Sequence, residues 1–139
     1  MKTLEMALIP GAIAGVLAIF TSWLWMGVIF HRFQRLTPDT WRPENNGSYA
    51  LSAAIHFGAC IAIATLFLFV AFRPGNTFAG GLRGAFRFGA LIWMALAAPF
   101  AIEAAIFIRL HPWVVVGQLL DWLTTSLLAC LIVAWWTRT

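Results

Sequence analysis

The chain alternates between long apolar stretches and short polar ones. Four of the apolar stretches reach about 20 residues, the length that an α-helix needs to cross the hydrocarbon core of a membrane. They lie at residues 7–30, 49–72, 84–108 and 113–136. Helices let an open chain satisfy its own backbone hydrogen bonds in lipid. The pattern predicts an all-α membrane domain over residues 1–139: an antiparallel, up-down-up-down four-helix bundle with both termini on the same side.

The polar connections fit this arrangement. The longest, residues 31–48, contains Thr37, Pro38 and Asp39. This order predicts a short surface helix with Thr37 as its cap and Pro38 in its first turn. Residues 73–77 have the composition of a turn. The connection before residue 113 is so short that the last two spans must form a hairpin.

Composition supports a membrane protein. The chain is 62% hydrophobic and only 10% charged, whereas soluble domains carry about 25% charged residues. With so few charges, the chain could not cover its surface in water. The arginines lie beside apolar stretches rather than in one basic patch, so we expect the lipid bilayer as a partner and no nucleic acid.

Membrane orientation follows from the positions of the cations. One side carries Lys2, Arg73, Arg83, Arg87 and Arg138, and the other carries Arg32, Arg35, Arg42 and Arg109. Under the positive-inside rule, this five-to-four division of the nine Lys and Arg residues favours cytoplasmic termini. We expect a bacterial inner membrane. A division this close to even is also compatible with dual insertion, as in some small four-span transporters.

Small and aromatic residues suggest how the helices pack. Gly11 and Gly15 form a GxxxG pair, which either marks a close helix contact or occurs by chance. The tryptophans expected as interface anchors are Trp41, Trp113, Trp135 and Trp136. Those expected deeper are Trp23, Trp25, Trp93 and Trp122. We interpret the deeper group as packing residues, with the lining of a ligand cavity as the alternative.

The polar residues inside the spans mark the candidate site. His56, Glu103 and Asp121 lie on three different spans, each roughly 8–12 Å from the side that holds the longest connection. Charged groups at such depths usually face the bundle interior. The sequence therefore predicts one inward polar cluster, with Arg109 or His111 above it and Pro99 loosening the helix before Glu103. Its members are His56, Glu103, Asp121, Gln118, Thr125 and Ser22.

The cluster admits several interpretations. It is a structural network, a proton or cation path, or a site for a quinone, pigment or metal. His56, Glu103 and Asp121 match a metal-binding facial triad in residue type, but nothing else indicates a metal and no cofactor can be named. No nucleophile elbow, P-loop or dinucleotide motif is present, so an enzyme is the least favoured class.

Two segments carry a family resemblance. "SWLWMGVIFHRFQRLTPDTW" places an aromatic-rich span end before an amphipathic loop, and "GQLLDWLTTSLLACLIVAWW" places an Asp early in a last span that ends in Trp. With its four spans and its length, the chain resembles a widespread family of small bacterial four-span membrane proteins of unknown function. The resemblance implies a four-helix membrane protein and brings no catalytic residues.

Three functions are compatible with these observations. The favoured one is an accessory or scaffolding subunit of a larger membrane complex, because deep tryptophans and small-residue faces suit association with other subunits. The first alternative is a homo-oligomeric proton- or cation-coupled transporter or channel that uses the His/Glu/Asp layer. The second is a quinone-, pigment- or metal-binding membrane subunit.

Overall fold

The computed structural model describes residues 2–71 and 75–137, with side chains from residue 5 onward. The described chain contains four helices that are long and apolar enough to cross a membrane: span 1 (Glu5–Ile29), span 2 (Asn46–Ala71), span 3 (Gly81–Phe107) and span 4 (Pro112–Trp136). They support an all-helical, multi-pass membrane protein. Three of the cations used to predict the membrane orientation lie outside the described residues: the side chain of Lys2, Arg73 and Arg138.

Two of the spans contain a widened π-helical segment. One, Trp23–Ile29, ends span 1, and the other, Trp93–Ala97, interrupts span 3. In span 3 the N–H of Ala98 donates to the carbonyl of Trp93, five residues back. Pro99 follows at once; it has no N–H to donate and its ring crowds the preceding turn. The loosening predicted at Pro99 therefore takes the form of a π segment directly before it.

The first connection contains two short helices, His31–Gln34 and a 3-10 turn at Pro38–Thr40. Thr37 precedes the second of these, but its side chain makes no capping hydrogen bond. Its hydroxyl instead accepts a hydrogen bond from the indole N–H of Trp41 at 3.3 Å. The predicted capping role of Thr37 is therefore wrong, because the hydroxyl is engaged by the tryptophan that follows the turn.

The other connections are tight. Gly75 has φ of 80°, a left-handed conformation that glycine adopts without strain, and the side-chain amide of Asn76 donates to the carbonyl of Val70. At the start of span 4, a ring nitrogen of His111 accepts the N–H of Trp113 at 3.3 Å. His111 therefore caps a helix, which keeps its ring at the surface end of the span.

One half of the bundle, which we call the packed half, is closed by small residues. A Cβ atom added to Gly11 or Gly15 would lie 3.0 Å from the backbone of span 2, and one added to Gly89 would lie 2.9 Å from the carbonyl oxygen of Ser126 in span 4. The GxxxG pair is thus a genuine close contact. The main buried cluster of this half comprises Ala7, Ala64, Phe67, Leu68, Ala71, Ala85, Phe88, Cys130, Val133 and Ala134.

The deeper tryptophans do not share one role. Trp23 is 64% exposed and borders a cleft beside span 1, so it fits the alternative of a cavity-lining residue better than that of a buried packing residue. Trp93 is half-buried, and its indole N–H donates to the carbonyl of Leu119 at 2.9 Å, which ties span 3 to span 4. Trp122 is half-buried and stacks on another ring, as described below.

The four tryptophans predicted as interface anchors occupy two kinds of position. Trp113, Trp135 and Trp136 are exposed at the two ends of span 4, where an indole ring can lie at the edge of a bilayer. Trp41 is half-buried and turned toward the bundle, where it forms part of the wall of a cavity.

Candidate intramembrane binding site

The site is built around a buried side-chain pair, His56 of span 2 and Asp121 of span 4. The imidazole Nε2 lies 3.1 Å from the carboxyl Oδ2, and the two residues are only 6% and 4% exposed. The hydroxyl of Ser22, in span 1, donates to the same Oδ2 at 3.0 Å. Three helices of the bundle are therefore joined at one carboxyl oxygen.

The orientation of the imidazole is determined from both sides. Its Nδ1 lies 2.9 Å from the carbonyl oxygen of Ser52, one helical turn earlier. Its ring stacks on the indole of Trp122, with centroids 5.0 Å apart and planes 16° from parallel. The contact with the Ser52 carbonyl follows from the i, i+4 spacing of Ser52 and His56 on one helix. The stacking contact follows because Trp122 is the residue after Asp121.

Hydrogen-bond chemistry limits where protons lie on the pair. The Ser52 carbonyl can only accept, so Nδ1 of His56 must carry a hydrogen. The contact between Nε2 and Oδ2 then needs one more proton, held either by the imidazole or by the carboxyl group. In both cases the pair has no net charge, which is the inexpensive state for two ionisable groups removed from water. The pair thus holds one shared proton.

The structure brings together three of the six predicted site residues and places two more nearby. Ser22, His56 and Asp121 are in contact, as described. Gln118 lies one turn earlier on span 4 and borders the same cavity as the pair. Thr125 lies one turn later and is fully buried. Its backbone carbonyl accepts a weak hydrogen bond from the thiol of Cys60 at 3.8 Å.

Glu103 does not join this cluster, so that part of the prediction is wrong. Glu103 is exposed, and its side chain has no hydrogen-bond or ion-pair partner among the described residues. The turns around it point Ala101 and Ala104 toward the bundle, which directs Glu103 elsewhere around the helix. Span 3 ends at Phe107, about 6 Å further along the axis. The carboxylate therefore extends outward from span 3 rather than pairing inside the bundle.

Two further expectations fail with it. Without Glu103 the facial triad is not assembled, and the described residues contain no group of three or more His, Cys, Asp or Glu side chains able to hold a metal ion. Arg109 and His111 do not cover the pair either. Arg109 is exposed and its carbonyl accepts from the hydroxyl of Thr40 at 3.3 Å, while the ring of His111 is engaged in capping span 4.

A cavity of about 740 Å³ opens beside the pair, between spans 2 and 3. We call it the lateral cavity. Most of its wall is apolar, and span 3 contributes the largest apolar share, including Leu96, Phe100 and Ala104. The polar side chains lie toward spans 1, 2 and 4: Ser22, Ser52, His56, Gln118, Asp121 and Ser126. Trp41 and Thr40 of the first connection also border the cavity.

Asp121, which borders the lateral cavity, carries an unsatisfied acceptor oxygen. Oδ1 of Asp121 is buried and has no hydrogen-bond partner among the described residues, and the same is true of the hydroxyl oxygen of Thr125. Because Oδ2 makes the contacts to Ser22 and His56, Oδ1 is an acceptor wherever the shared proton lies. Leaving such a buried group without a partner costs about 1–3 kcal/mol. A hydrogen-bond donor that reached Oδ1 from the cavity, through a small shift of the side chains that cover it, would recover that energy.

Several features of this site were not anticipated. The π segments and the inward position of Trp41 depend on tertiary packing, for which the sequence offers only the Pro99 signal. The sequence gives one sign of the stacking of Trp122 on His56, namely that Trp122 directly follows Asp121.

No protein-family model, curated protein or solved structure matches the chain. The family resemblance stays a prediction.

Proposed function

We propose that this protein binds a small lipophilic molecule in the lateral cavity, with a hydroxyl or N–H group of that molecule donating to Asp121. The observation that carries the proposal is the buried Oδ1 atom without a partner beside a largely apolar cavity. Of the hypotheses raised by the sequence, this favours the ligand-binding membrane subunit, without its metal variant.

The apolar wall determines the class of ligand. Leu96 and Phe100 are both exposed on span 3 and also border the cavity, so its entrance is on the face that the bilayer would cover. A ligand dissolved in the membrane can enter sideways from the acyl chains. Burying its apolar body displaces few water molecules, so affinity and orientation depend on the polar groups at the inner wall.

The inner wall determines the polar group of the ligand. A hydroxyl or N–H hydrogen bond to a charged or acidic group is worth about 1.5–3 kcal/mol. A carbonyl or ether oxygen at the same place would face another acceptor and gain nothing. A lipophilic alcohol, phenol or quinol is therefore favoured over the corresponding ketone, ether or quinone.

The membrane topology is part of the proposal. Gly11 lies against residue 61 of span 2 and Gly15 against residue 57, an order that supports antiparallel neighbours. With four spans, both termini then lie on one side, which we propose is the cytoplasmic side of a bacterial inner membrane. Association with other membrane subunits or with a second copy also remains a proposal, and it is compatible with ligand binding.

Quenching of tryptophan fluorescence tests the binding function. Trp41 and Trp122 border the lateral cavity, so a brominated long-chain alcohol should quench part of the emission in detergent. Its methyl ether lacks the donor. We expect the alcohol to bind about tenfold more tightly than the ether, equivalent to about 1.4 kcal/mol. Trp122→Phe should remove much of the quenchable signal, since Trp122 borders the cavity.

Two neighbouring substitutions provide the control. Ala104 borders the lateral cavity, whereas Ala105 does not. Ala104→Leu should reduce quenching by the alcohol, and Ala105→Leu should leave it unchanged. Equal binding of alcohol and ether, with no difference between the two variants, would contradict the proposed function.

A further inference from the structure

A second empty space reaches the His56–Asp121 pair from another direction. It is a cleft of about 610 Å³ between the ends of spans 1 and 2 and the first connection, and we call it the loop-side cleft. Its polar side chains are Ser22, His31, Gln34, Glu44, Tyr49, Ser52 and His56. Unlike the lateral cavity, it has polar groups at both its outer and its inner end.

The two spaces share a wall. Ser22, Ser52 and His56 border both the loop-side cleft and the lateral cavity. The His56–Asp121 pair therefore lies between the loop-side cleft, which has polar groups at both ends, and the more apolar lateral cavity. Asp121 borders the lateral cavity but not the cleft, so a molecule in the cavity lies beside the carboxyl group without occupying the cleft.

The outer end of the loop-side cleft carries acid–base groups. Glu44 accepts a hydrogen bond from the phenol of Tyr49, and Nδ1 of His31 lies 3.7 Å from Oε1 of Glu44. The side chains of Glu44 and His31 are 57% and 25% exposed. Both side chains are in reach of water at the edge of the first connection.

The inner end of the cleft offers a connection to the pair. The hydroxyl of Ser22 borders the cleft and donates to Oδ2 of Asp121, and a hydroxyl can accept one hydrogen bond while donating another. The side chains that border the lateral cavity include no described titratable group besides His56 and Asp121. Those that border the cleft include His31, Glu44 and Tyr49. Water is therefore more stable in the cleft than in the cavity.

We propose that the loop-side cleft admits water to the His56–Asp121 pair, and that the pair exchanges its shared proton with this water through Ser22. In one direction Ser22 passes its hydroxyl proton to Oδ2 as it takes a proton from water in the cleft; a proton of the pair leaves by the reverse of these steps, so over the cycle the pair gains and loses one proton. The proton released into the cleft passes to water and then to Glu44 or His31 at the surface. Proton exchange is independent of ligand binding and holds whether or not the lateral cavity contains a lipophilic molecule.

Cysteine labelling tests whether water enters the cleft. In a background of Cys60→Ala and Cys130→Ala, Ala53→Cys places a thiol in the loop-side cleft and Ala97→Cys places one in the lateral cavity. A charged, membrane-impermeant methanethiosulfonate should modify Ala53→Cys in vesicles when added on the side of the first connection. It should not modify Ala97→Cys, which should react with an apolar maleimide. An inert Ala53→Cys, or the reverse pattern, would overturn the proposal.

Hydrogen–deuterium exchange of the imidazole tests the proton path itself. In protein labelled with ¹⁵N-histidine, the His56 signal is the one lost in His56→Gln. Ser22→Ala removes the hydroxyl on Asp121 and should slow exchange severalfold. Thr21→Ala is the matched control, because the hydroxyl of this neighbouring residue donates to the Ala18 carbonyl of its own helix and borders neither space. Equal exchange rates in the two variants would contradict a role for Ser22.

Filling the cleft with a larger side chain gives an independent test of the path by which protons reach His56. Ala53 borders the loop-side cleft, and its neighbour Ala54 is exposed and does not. Ala53→Leu should slow exchange at His56, while Ala54→Leu and the cavity variant Ala97→Leu should not. If only Ala97→Leu slows exchange, protons reach the pair through the lateral cavity and the proposal is wrong. If a variant unfolds, the labelling experiment still decides whether the cleft is wet.

Discussion

In the packed half of the bundle, spans 1 and 2 approach each other through glycine and alanine, and little space remains between them. In the other half, which we call the open half, the same two helices are separated by the loop-side cleft and held together through Ser22 and His56, both bonded to Asp121. The change occurs within span 1, between Gly15 and the π segment Trp23–Ile29.

The difference follows from how helices associate in lipid. Acyl chains are as apolar as leucine, so association depends on close backbone approach and on polar contacts between helices. The packed half uses the first and the open half uses the second. Close packing excludes any ligand, whereas a few hydrogen bonds can join helices across a space that stays empty. We infer that the packed half supplies stability and the open half supplies the site.

The largest effect is expected where the packed half has no room. Gly15→Leu would drive a side chain into Phe57, because even a Cβ atom would lie 2.7 Å from the ring and 3.0 Å from Cα of that residue. Overpacking of this kind costs about 3 kcal/mol or more when the obstacle is backbone. The measurement is the free energy of unfolding in mixed micelles.

Gly58→Leu is the matched control for this substitution. Gly58 lies on span 2 beside Phe57, yet a Cβ atom there would meet nothing within 4 Å. We expect Gly58→Leu to leave the free energy of unfolding nearly unchanged. Similar losses in the two variants would show that leucine is harmful for a reason other than the contact between spans 1 and 2.

The next largest effect on stability is expected at Asp121, whose contacts with Ser22 and His56 hold the open half together. Asp121→Leu leaves the Ser22 hydroxyl and Nε2 of His56 without their shared partner, and we expect a loss of about 1–3 kcal/mol in the free energy of unfolding. Asp121→Asn keeps an oxygen and a nitrogen at the same positions and should cost less. A stable Asp121→Leu variant would mean that these contacts contribute nothing to association of the helices.

A smaller effect is expected at the π segment of span 3. Trp93→Phe keeps an aromatic ring but removes the N–H that donates to the carbonyl of Leu119. We expect a loss of about 0.5–1.5 kcal/mol, measured by the same unfolding experiment. If stability is unchanged, the close contact at Gly89 is sufficient to hold spans 3 and 4 together.

The contrast between the halves also shows how far the sequence could be interpreted. The four apolar stretches predicted the helices because their length is a property of local composition. His56 and Asp121 were placed together correctly, since depth along a straight helix follows from residue number. Glu103 was misplaced because depth does not determine which side of a helix a residue faces. The π segment before Pro99 changes that direction, and nothing local predicts its extent.

The smallest effect is expected at Glu103, the residue for which the sequence prediction failed. Its exposed carboxylate has no partner among the described residues and is in reach of the membrane surface, so Glu103→Gln should change the free energy of unfolding by less than about 0.5 kcal/mol. The measurement should be made both in dilute micelles and at high protein-to-detergent ratio, where copies of the chain can meet. A loss near that of Asp121→Leu, present only at the high ratio, would show that Glu103 contacts another subunit. Glu103 would then mark an interface on the outer face of span 3, and the exposed position would belong only to the isolated chain.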